Sequence, residues 1–135
     1  DSLVREKKAT VRFHVLSFLG DESVRAANAS FCAADEGQYL DFHHALYAVQ
    51  SPLENSGFWS NETLIAIGAK IGINSDKFTK CVSDGEKVDL VKANYDSMPQ
   101  FGVQGTPTVF INGKQWERTQ NAFVLEEFKA AVEAG

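Results

Sequence analysis

One stretch near the C-terminal end constrains the fold more than any other part of the chain, and it runs Gly105-Thr106-Pro107-Thr108-Val109-Phe110-Ile111-Asn112-Gly113. Proline has no backbone N–H to donate to a sheet, so it is tolerated only at a strand's first residue, at an edge or at a bulge. Pro107 stands where a β-branched and aromatic run begins. Asn112-Gly113 accepts the positive φ angles of a two-residue hairpin turn. The stretch therefore predicts strands at 107–111 and 114–117.

The charge and hydropathy of the chain limit its partners. The formal net charge of the 135 residues is −5, whereas affinity for nucleic acid comes largely from Lys and Arg side chains that neutralise phosphates. No apolar run approaches the roughly 18 residues needed to span a bilayer. We therefore expect neither a nucleic-acid partner nor a membrane span in this chain.

Apolar periodicity predicts a strand, a block of helices, a longer helix, the hairpin and a closing helix, in that order. The first strand, 9–18, alternates and carries Val and Phe, which is typical of a strand buried in a sheet. Asp21 is expected to cap the first helix, Ser60 or Asn61 the third, and Ser75 or Asn74 the fourth. The helices are predicted at 22–35, 38–49, 62–71, 76–82, 86–98 and 120–134.

Several further segments carry a pattern in a fixed order. They are Ser23-Val24-Arg25-Ala26-Ala27 with Cys32-Ala33-Ala34-Asp35, Tyr39-Leu40-Asp41-Phe42-His43-His44-Ala45-Leu46-Tyr47, Phe78-Thr79-Lys80-Cys81, and Phe101-Gly102-Val103-Gln104-Gly105-Thr106-Pro107-Thr108. Together they resemble the DsbA-like family of thiol-disulfide oxidoreductases over nearly the whole chain. The resemblance implies an α/β, thioredoxin-like fold with an inserted all-helical domain. Residues 1–19 and 85–135 would form the thioredoxin-like part, and 20–84 the inserted domain.

The redox cysteines of that family have no counterpart here, because the only cysteines are Cys32 and Cys81 and no Cys-x-x-Cys occurs. Family members carry, ahead of the first strand seen here, another strand and a helix whose N-terminus presents Cys-x-x-Cys. We therefore expect that this N-terminal βα unit is missing from the chain, that the chain holds no catalytic residue, and that it is inactive alone. The complete protein would exchange disulfides in exported proteins.

The resemblance also implies a substrate-binding role for Gly105, Thr106 and Pro107, with a cis Thr106–Pro107 bond and a backbone that pairs with an extended peptide. The ordinary alternative is a trans bond, which most X–Pro sequences adopt. A competing hypothesis is a redox-inactive peptide-binding or scaffolding module that kept the groove and lost the cysteines. Glutathione-transferase-like chemistry is a weaker third alternative, because the helical domain of that family follows the thioredoxin unit.

Cys32 and Cys81 each fall within a predicted helix, away from the helix N-terminus that would lower a thiol pKa. From the residues alone, a structural disulfide and two separate buried thiols both stay open. Some exported DsbA-like proteins have a second disulfide in the helical domain, so the resemblance favours the pair. A disulfide implies an oxidising compartment. We therefore expect an extracytoplasmic location (periplasm, cell envelope or secreted), with an N-terminal segment outside this sequence as a candidate tether.

Neither a metal nor another cofactor is expected. His43 and His44 are consecutive, hence about 100° apart around a helix, and no third ligand follows at metal-binding spacing.

The expected loss of the N-terminal βα unit affects which binding partners we expect for this chain. In the thioredoxin arrangement the absent strand lies between 9–18 and 107–111, and its loss leaves two unpaired edges. A strand of a second copy in a strand-swapped dimer, a bound N-terminal fragment, or collapse of the two strands onto each other would fill the gap. The other expected partners are protein or peptide thiol and disulfide substrates and a redox partner protein.

Overall fold

The computed structural model describes residues 2–119 and 122–135, and these are mostly helical with one small sheet. Two compact units are present, one formed by Val15–Met98 and the other by Asp1–His14 with Pro99–Gly135. The elements in chain order are α1 Ser2–Arg5, α2 Asp21–Asp35, α3 Tyr39–Ala48, α4 Asn61–Lys70, α5 Asp76–Asp84, α6 Val88–Ser97, a 3₁₀ turn Met98–Phe101, β1 Phe110–Ile111, β2 Lys114–Gln115 and α7 Leu125–Ala134.

The unit Val15–Met98 is a helical bundle in which α2 packs against α3, α4, α5 and α6. Its apolar centre is formed by side chains that are nearly or fully excluded from solvent, and the largest are Phe42, Leu64, Phe78 and Val82. The rings of Phe42 and Phe78 meet edge to face, with centroids 5.7 Å apart. Gly68 on α4 leaves room for Phe78, because a Cβ at this position would lie within 2.9 Å of the ring Cζ.

Local capping signals begin α4 and α5 and end α5. The Ser60 hydroxyl accepts the Thr63 N–H at 3.2 Å at the start of α4, and the Ser75 hydroxyl accepts the Phe78 N–H at 3.0 Å at the start of α5. Gly85 ends α5 in the left-handed conformation at φ 66°. Glycine adopts this conformation without a steric penalty because it has no Cβ atom. Of the paired alternatives, the serines rather than Asn61 and Asn74 are the caps.

Two helix ends differ from the prediction. Asp21 is the first residue of α2 and not its cap, because Gly20 occupies the cap position at φ 99° and its carbonyl accepts the Val24 N–H at 3.3 Å. The predicted helix 120–134 begins later, since α7 starts at Leu125. The residues Gln120 and Asn121 of that prediction lie outside the described residues.

The unit that contains residues 99–135 is built around the hairpin. β1 and β2 pair antiparallel, with Phe110 opposite Gln115 and Ile111 opposite Lys114. Asn112 and Gly113 make the turn at φ 49° and 81°, as the sequence predicts. Both strands are shorter than predicted, at two residues each.

The predicted strand at 9–18 is wrong, because none of its residues belongs to a strand. A strand is defined by hydrogen bonds to a neighbouring strand, and the sheet of the described residues consists of β1 and β2 alone. Several apolar side chains of the segment are exposed instead, at 56% for Val11, 44% for Phe13 and 46% for Phe18, and Val15 and Leu16 are half-buried. Residues 9–18 therefore have the alternating pattern of a strand but pair with no other strand in the described part of the chain.

Candidate functional site

The loop that leads into β1 has a defined shape. The Thr106–Pro107 peptide bond is cis. The Thr108 hydroxyl donates a hydrogen bond of 2.6 Å to the Gly105 carbonyl and so closes the loop across Thr106 and Pro107. Beyond the loop, the Trp116 N–H donates to the Val109 carbonyl at 2.8 Å, which ties the chain after β2 back to the chain before β1.

This loop forms one wall of an open groove with a volume of about 460 Å³. The groove is lined by Gly102, Gln104, Gly105, Thr106, Pro107, Thr108, Gln115 and Arg118. The three residues predicted to bind substrate, Gly105, Thr106 and Pro107, therefore lie on the same surface. Their role in binding stays a prediction.

The backbone of Thr106 offers hydrogen-bonding groups to the groove. Thr106 is exposed. Within residues 2–119 and 122–135, neither its N–H nor its C=O takes part in a hydrogen bond. One donor and one acceptor are thus available to a ligand.

Aromatic side chains adjoin the groove residues Gln115 and Arg118. The Trp116 ring packs against Phe128 and Phe123, with centroids 5.4 Å and 6.4 Å away. The Arg118 guanidinium carbon lies 4.0 Å from the centroid of the Phe123 ring. A second, smaller cavity of about 50 Å³ lies on this side and is lined in part by Trp116, Arg118 and Phe123.

Five residues of the groove were not predicted as site residues, and they are Gly102, Gln104, Thr108, Gln115 and Arg118. The first three lie within the segment 101–108 that carries the resemblance. A usable signal exists for Arg118, because it follows Trp116 by two residues just after β2, and residues two apart in an extended chain share a face. No comparable signal marks Gln115.

The two cysteines lie in the helical bundle and are joined. The sulfurs of Cys32 on α2 and Cys81 on α5 are 2.06 Å apart, and their Cα atoms 5.9 Å. Both residues are buried, at 1% and 2% exposure. Since the chain has no other cysteine, it carries no free thiol.

The disulfide closes a loop of 49 residues. The chain-entropy model gives such a crosslink about 4 kcal/mol of stabilisation. The disulfide therefore stabilises the helical bundle and leaves this chain without a thiolate for thiol-disulfide exchange.

Comparison with families of known proteins matches residues 2–134 to the family described as Thioredoxin. The chain belongs to the thioredoxin family. No solved structure matches it significantly.

Curated relatives of this thioredoxin-family chain are distant and much longer. The "Na(+)/H(+) antiporter NhaA 3" of Salinispora tropica is 27% identical over 107 residues, which are 79% of this chain and 15% of that protein. The "Serine/threonine-protein kinase PknE" of Mycobacterium tuberculosis is 27% identical over 124 residues, covering 82% of this chain and 22% of the kinase. The "Putative protein-disulfide oxidoreductase" of Rickettsia bellii is 28% identical over 105 residues, covering 76% and 38%. The chain thus spans less than two fifths of these relatives.

The described part of this thioredoxin-family chain holds no group of three or more His, Cys, Asp or Glu side chains arranged to bind a metal. None of the helices within residues 2–119 and 122–135 has the length and apolar character to cross a membrane.

The consecutive histidines lie on α3, far in sequence from the groove residues. The His43 ring lies between Tyr39 and Tyr47, at centroid distances of 5.9 Å and 4.8 Å. Burial, and to a smaller extent His44, lower the pKa of His43 below its usual value. These contacts assign His43 to packing along α3.

Proposed function

We propose that the complete protein is a DsbA-like thiol-disulfide oxidoreductase of exported proteins, in which this chain supplies the groove that holds the substrate peptide. The exposed and unbonded backbone of Thr106 is the observation that carries the proposal. Membership of the thioredoxin family and the name of the Rickettsia relative support the redox part.

The groove would bind its peptide by strand addition. An extended peptide donates an N–H to the Thr106 carbonyl and accepts the Thr106 N–H through its own carbonyl, as neighbouring strands do. Pro107 has no N–H, so the pairing stops there. Such a short main-chain contact holds a substrate without reading much of its sequence.

The thiols would come from outside these 135 residues, since both sulfurs of the chain are bound to each other. In the reducing direction, a thiolate of an external Cys-x-x-Cys pair attacks the substrate disulfide, and one substrate sulfur leaves as a thiolate. The second thiol of the pair then resolves the mixed disulfide. Two substrate thiols are formed as the pair is oxidised, and the reverse sequence oxidises the substrate.

The proposal also includes a domain architecture and a cellular location for the complete protein. Residues 20–84 would be a helical domain inserted into a thioredoxin fold whose N-terminal strand and Cys-x-x-Cys helix lie outside this sequence. The buried disulfide supports an extracytoplasmic location, because such bonds persist in oxidising compartments.

The second candidate is a redox-inactive module that binds peptides. The absence of any free thiol in the chain favours it, and the groove would serve it equally well. The two candidates differ only in whether a redox pair accompanies the groove.

Binding is tested with a fluorescent extended peptide in which serine replaces cysteine, so that no covalent bond forms. N-methylation of the peptide residue that faces Thr106 removes its N–H, and it should weaken binding about tenfold, the value of one hydrogen bond at an ordered site. The matched control carries the methyl group on the next residue, whose N–H points away from the edge. NMR shifts should change at Gly105 and Thr106. Equal effects of the two methylations, or shifts confined to other residues, would contradict strand addition.

Disulfide reduction of an insulin-type substrate distinguishes the two functions. The 135-residue chain should show no turnover, since its sulfurs are buried in a bond. The complete gene product should turn over if the enzyme proposal holds. A complete product that binds the peptide and lacks turnover would establish the binding module instead.

A further inference from the structure

The bond between Cys32 and Cys81 lies inside the apolar centre of the helical bundle. Both residues belong to one cluster of buried side chains that also contains Phe42, Leu64 and Phe78, and they are 1% and 2% exposed. Thiol-disulfide exchange begins when a thiolate attacks one sulfur of a disulfide, so its rate depends on access to that sulfur. A dissolved thiol therefore cannot reach this bond while the bundle is folded.

The sulfurs are attached to helices and not to loops, so small movements do not uncover them. Cys32 lies on α2, which packs against α3, α4, α5 and α6. Asn28, one turn earlier on α2, donates its amide to the Cys81 and Val82 carbonyls at 3.5 Å each. Separating α2 from α5 thus removes α2 from the whole bundle. Access to the bond requires that the helical unit open as a whole.

The same enclosure applies to the reaction that forms the bond. Two thiols at these positions in a folded bundle would be as inaccessible to an oxidant as the disulfide is to a reductant. We propose that Cys32 and Cys81 are oxidised by an external disulfide before the bundle closes around them, and that this chain is therefore itself the substrate of a disulfide-forming reaction. The inference holds for either function proposed above, because it concerns the folding of the helical unit and not the groove.

The reaction consists of two exchange steps. The thiolate of one cysteine, Cys32 or Cys81, attacks the external disulfide, forms a mixed disulfide and releases one thiolate of the oxidant. The thiolate of the other cysteine then attacks the sulfur of the first, which forms the bond between them and releases the second thiolate of the oxidant. The protons lost by the two cysteines pass through the solvent to these leaving thiolates. The oxidant comes from outside the 135 residues, since no third cysteine is present.

This oxidation also determines how stable the helical unit is. The crosslink spans 49 residues, and in the chain-entropy model it favours the folded state by about a thousandfold. That factor is a large part of the margin by which a natural domain is stable. In urea titrations, the reduced chain refolded in dithiothreitol should have an unfolding equilibrium constant about a thousandfold larger than that of the oxidised chain. Equal stability of the two forms would overturn this dependence.

Access to the bond is measured by the rate at which dithiothreitol reduces it. Free thiols are trapped with iodoacetamide at successive times and counted by mass spectrometry. The folded chain should be reduced at least about a hundredfold more slowly than the same chain unfolded in urea, because only the small opened population reacts. Equal rates would show that the sulfurs are accessible in the folded bundle and would overturn the proposal.

Three variants separate opening of the bundle from local access. Leu64→Ala removes a fully buried side chain of α4 and should speed reduction about thirtyfold or more, whereas the milder Ile67→Val on the same helix should speed it about fivefold. Leu53→Ala is the matched control, because Leu53 is 68% exposed, and its rate should stay within about twofold of wild type. Each increase should equal the rise in the unfolding equilibrium constant measured in urea. The same rate in all three variants would exclude opening of the bundle as the route.

The order of oxidation and folding is tested from the reduced side. Oxidised glutathione is added to the reduced chain with and without urea, and the first glutathione adduct on a cysteine is followed by mass spectrometry. This first step should be at least as fast in urea as in its absence, because the proposal assigns it to the open chain. A slower first step in urea would show that the folded chain is the form that reacts, and it would overturn the proposed order.

Discussion

At the scale of single residues, Asn28 shows how one polar side chain holds helix ends together. It is buried at 2% exposure. Its amide donates to the Cys81 and Val82 carbonyls at 3.5 Å each, and its carbonyl accepts the Lys87 N–H at 2.8 Å. The end of α5 and the turn before α6 thus share one partner.

We expect Asn28→Leu to destabilise the chain by about 2–3 kcal/mol. Leucine has a similar volume but leaves the half-buried Lys87 N–H without its acceptor, which costs the desolvation of that group. The Cys81 and Val82 carbonyls lose the Asn28 amide and each keep a backbone N–H partner. Unfolding in urea, followed by far-UV circular dichroism, measures the loss. The matched control is Asn74→Leu at an exposed position, where a change within about 0.5 kcal/mol is typical of surface sites. Equal stability of the two variants would show that the Asn28 contacts contribute nothing.

The sequence predicts a side-chain hydrogen bond when its partner is a few residues away, but not when its partner is distant in the chain. Ser60 and Ser75 each bond a backbone N–H three residues ahead, so the sequence signal and the contact occupy the same window. The partners of Asn28 lie 53, 54 and 59 residues away. Nothing within a short window of sequence identifies such a residue.

At the scale of elements, helices were predicted better than strands for the same reason. A helix satisfies its backbone internally, so the bundle helices fall close to the predicted ranges. Segment 9–18 has the alternation of a strand, but whether it forms one depends on a neighbour that its own residues do not encode. The hairpin lies between these cases, because its partner strand follows directly after Asn112 and Gly113.

On α3 the His43 ring packs between Tyr39 and Tyr47, and this packing should affect the pKa measured for His43. Burial is the larger cause and His44 the smaller cause of the lowered pKa of His43. Folding therefore disfavours the protonated imidazole. The unfolded chain binds more protons between the two pKa values, so the contribution of His43 to stability is complete above its unfolded pKa and is lost as pH falls through the folded pKa.

NMR titration of the His43 Cε1–H resonance tests this order of causes. The apparent pKa should lie below the usual 6.5 in the wild-type chain. Tyr47→Ala removes a ring 4.8 Å from His43 and should raise this pKa more than His44→Asn, which removes only the charge repulsion. Val49→Ala, just beyond the end of α3, should change nothing. A larger effect of His44→Asn would reverse the assignment of causes.

At the scale of the whole molecule, the two units differ in how they bury apolar surface. Every buried residue in the described part of the chain falls within Val15–Met98. The described residues of 2–14 and 99–135 instead include exposed apolar side chains, among them Val11, Phe101, Phe123 and Leu125 at 53% to 62% exposure. These side chains are therefore accessible to another chain.

We expect the isolated chain to self-associate through segment 9–18, because an alternating segment without a partner strand readily pairs with an edge of another copy. Sedimentation equilibrium should give a concentration-dependent mass above the 14.8 kDa of one chain. Val11→Lys puts a charge into the segment and should return the mass to that of the monomer.

Leu53→Lys is the matched control, since Leu53 is exposed at 68% and lies in a loop of the helical unit. It should leave the association unchanged, because a loop side chain adds no strand to a neighbour. A monomer at all concentrations would contradict pairing between copies and would leave the exposed segment to a strand from outside the chain. If Val11→Lys and Leu53→Lys lower the mass equally, the chains associate through nonspecific apolar contacts. Strand pairing would instead be disrupted only by the charge introduced into segment 9–18.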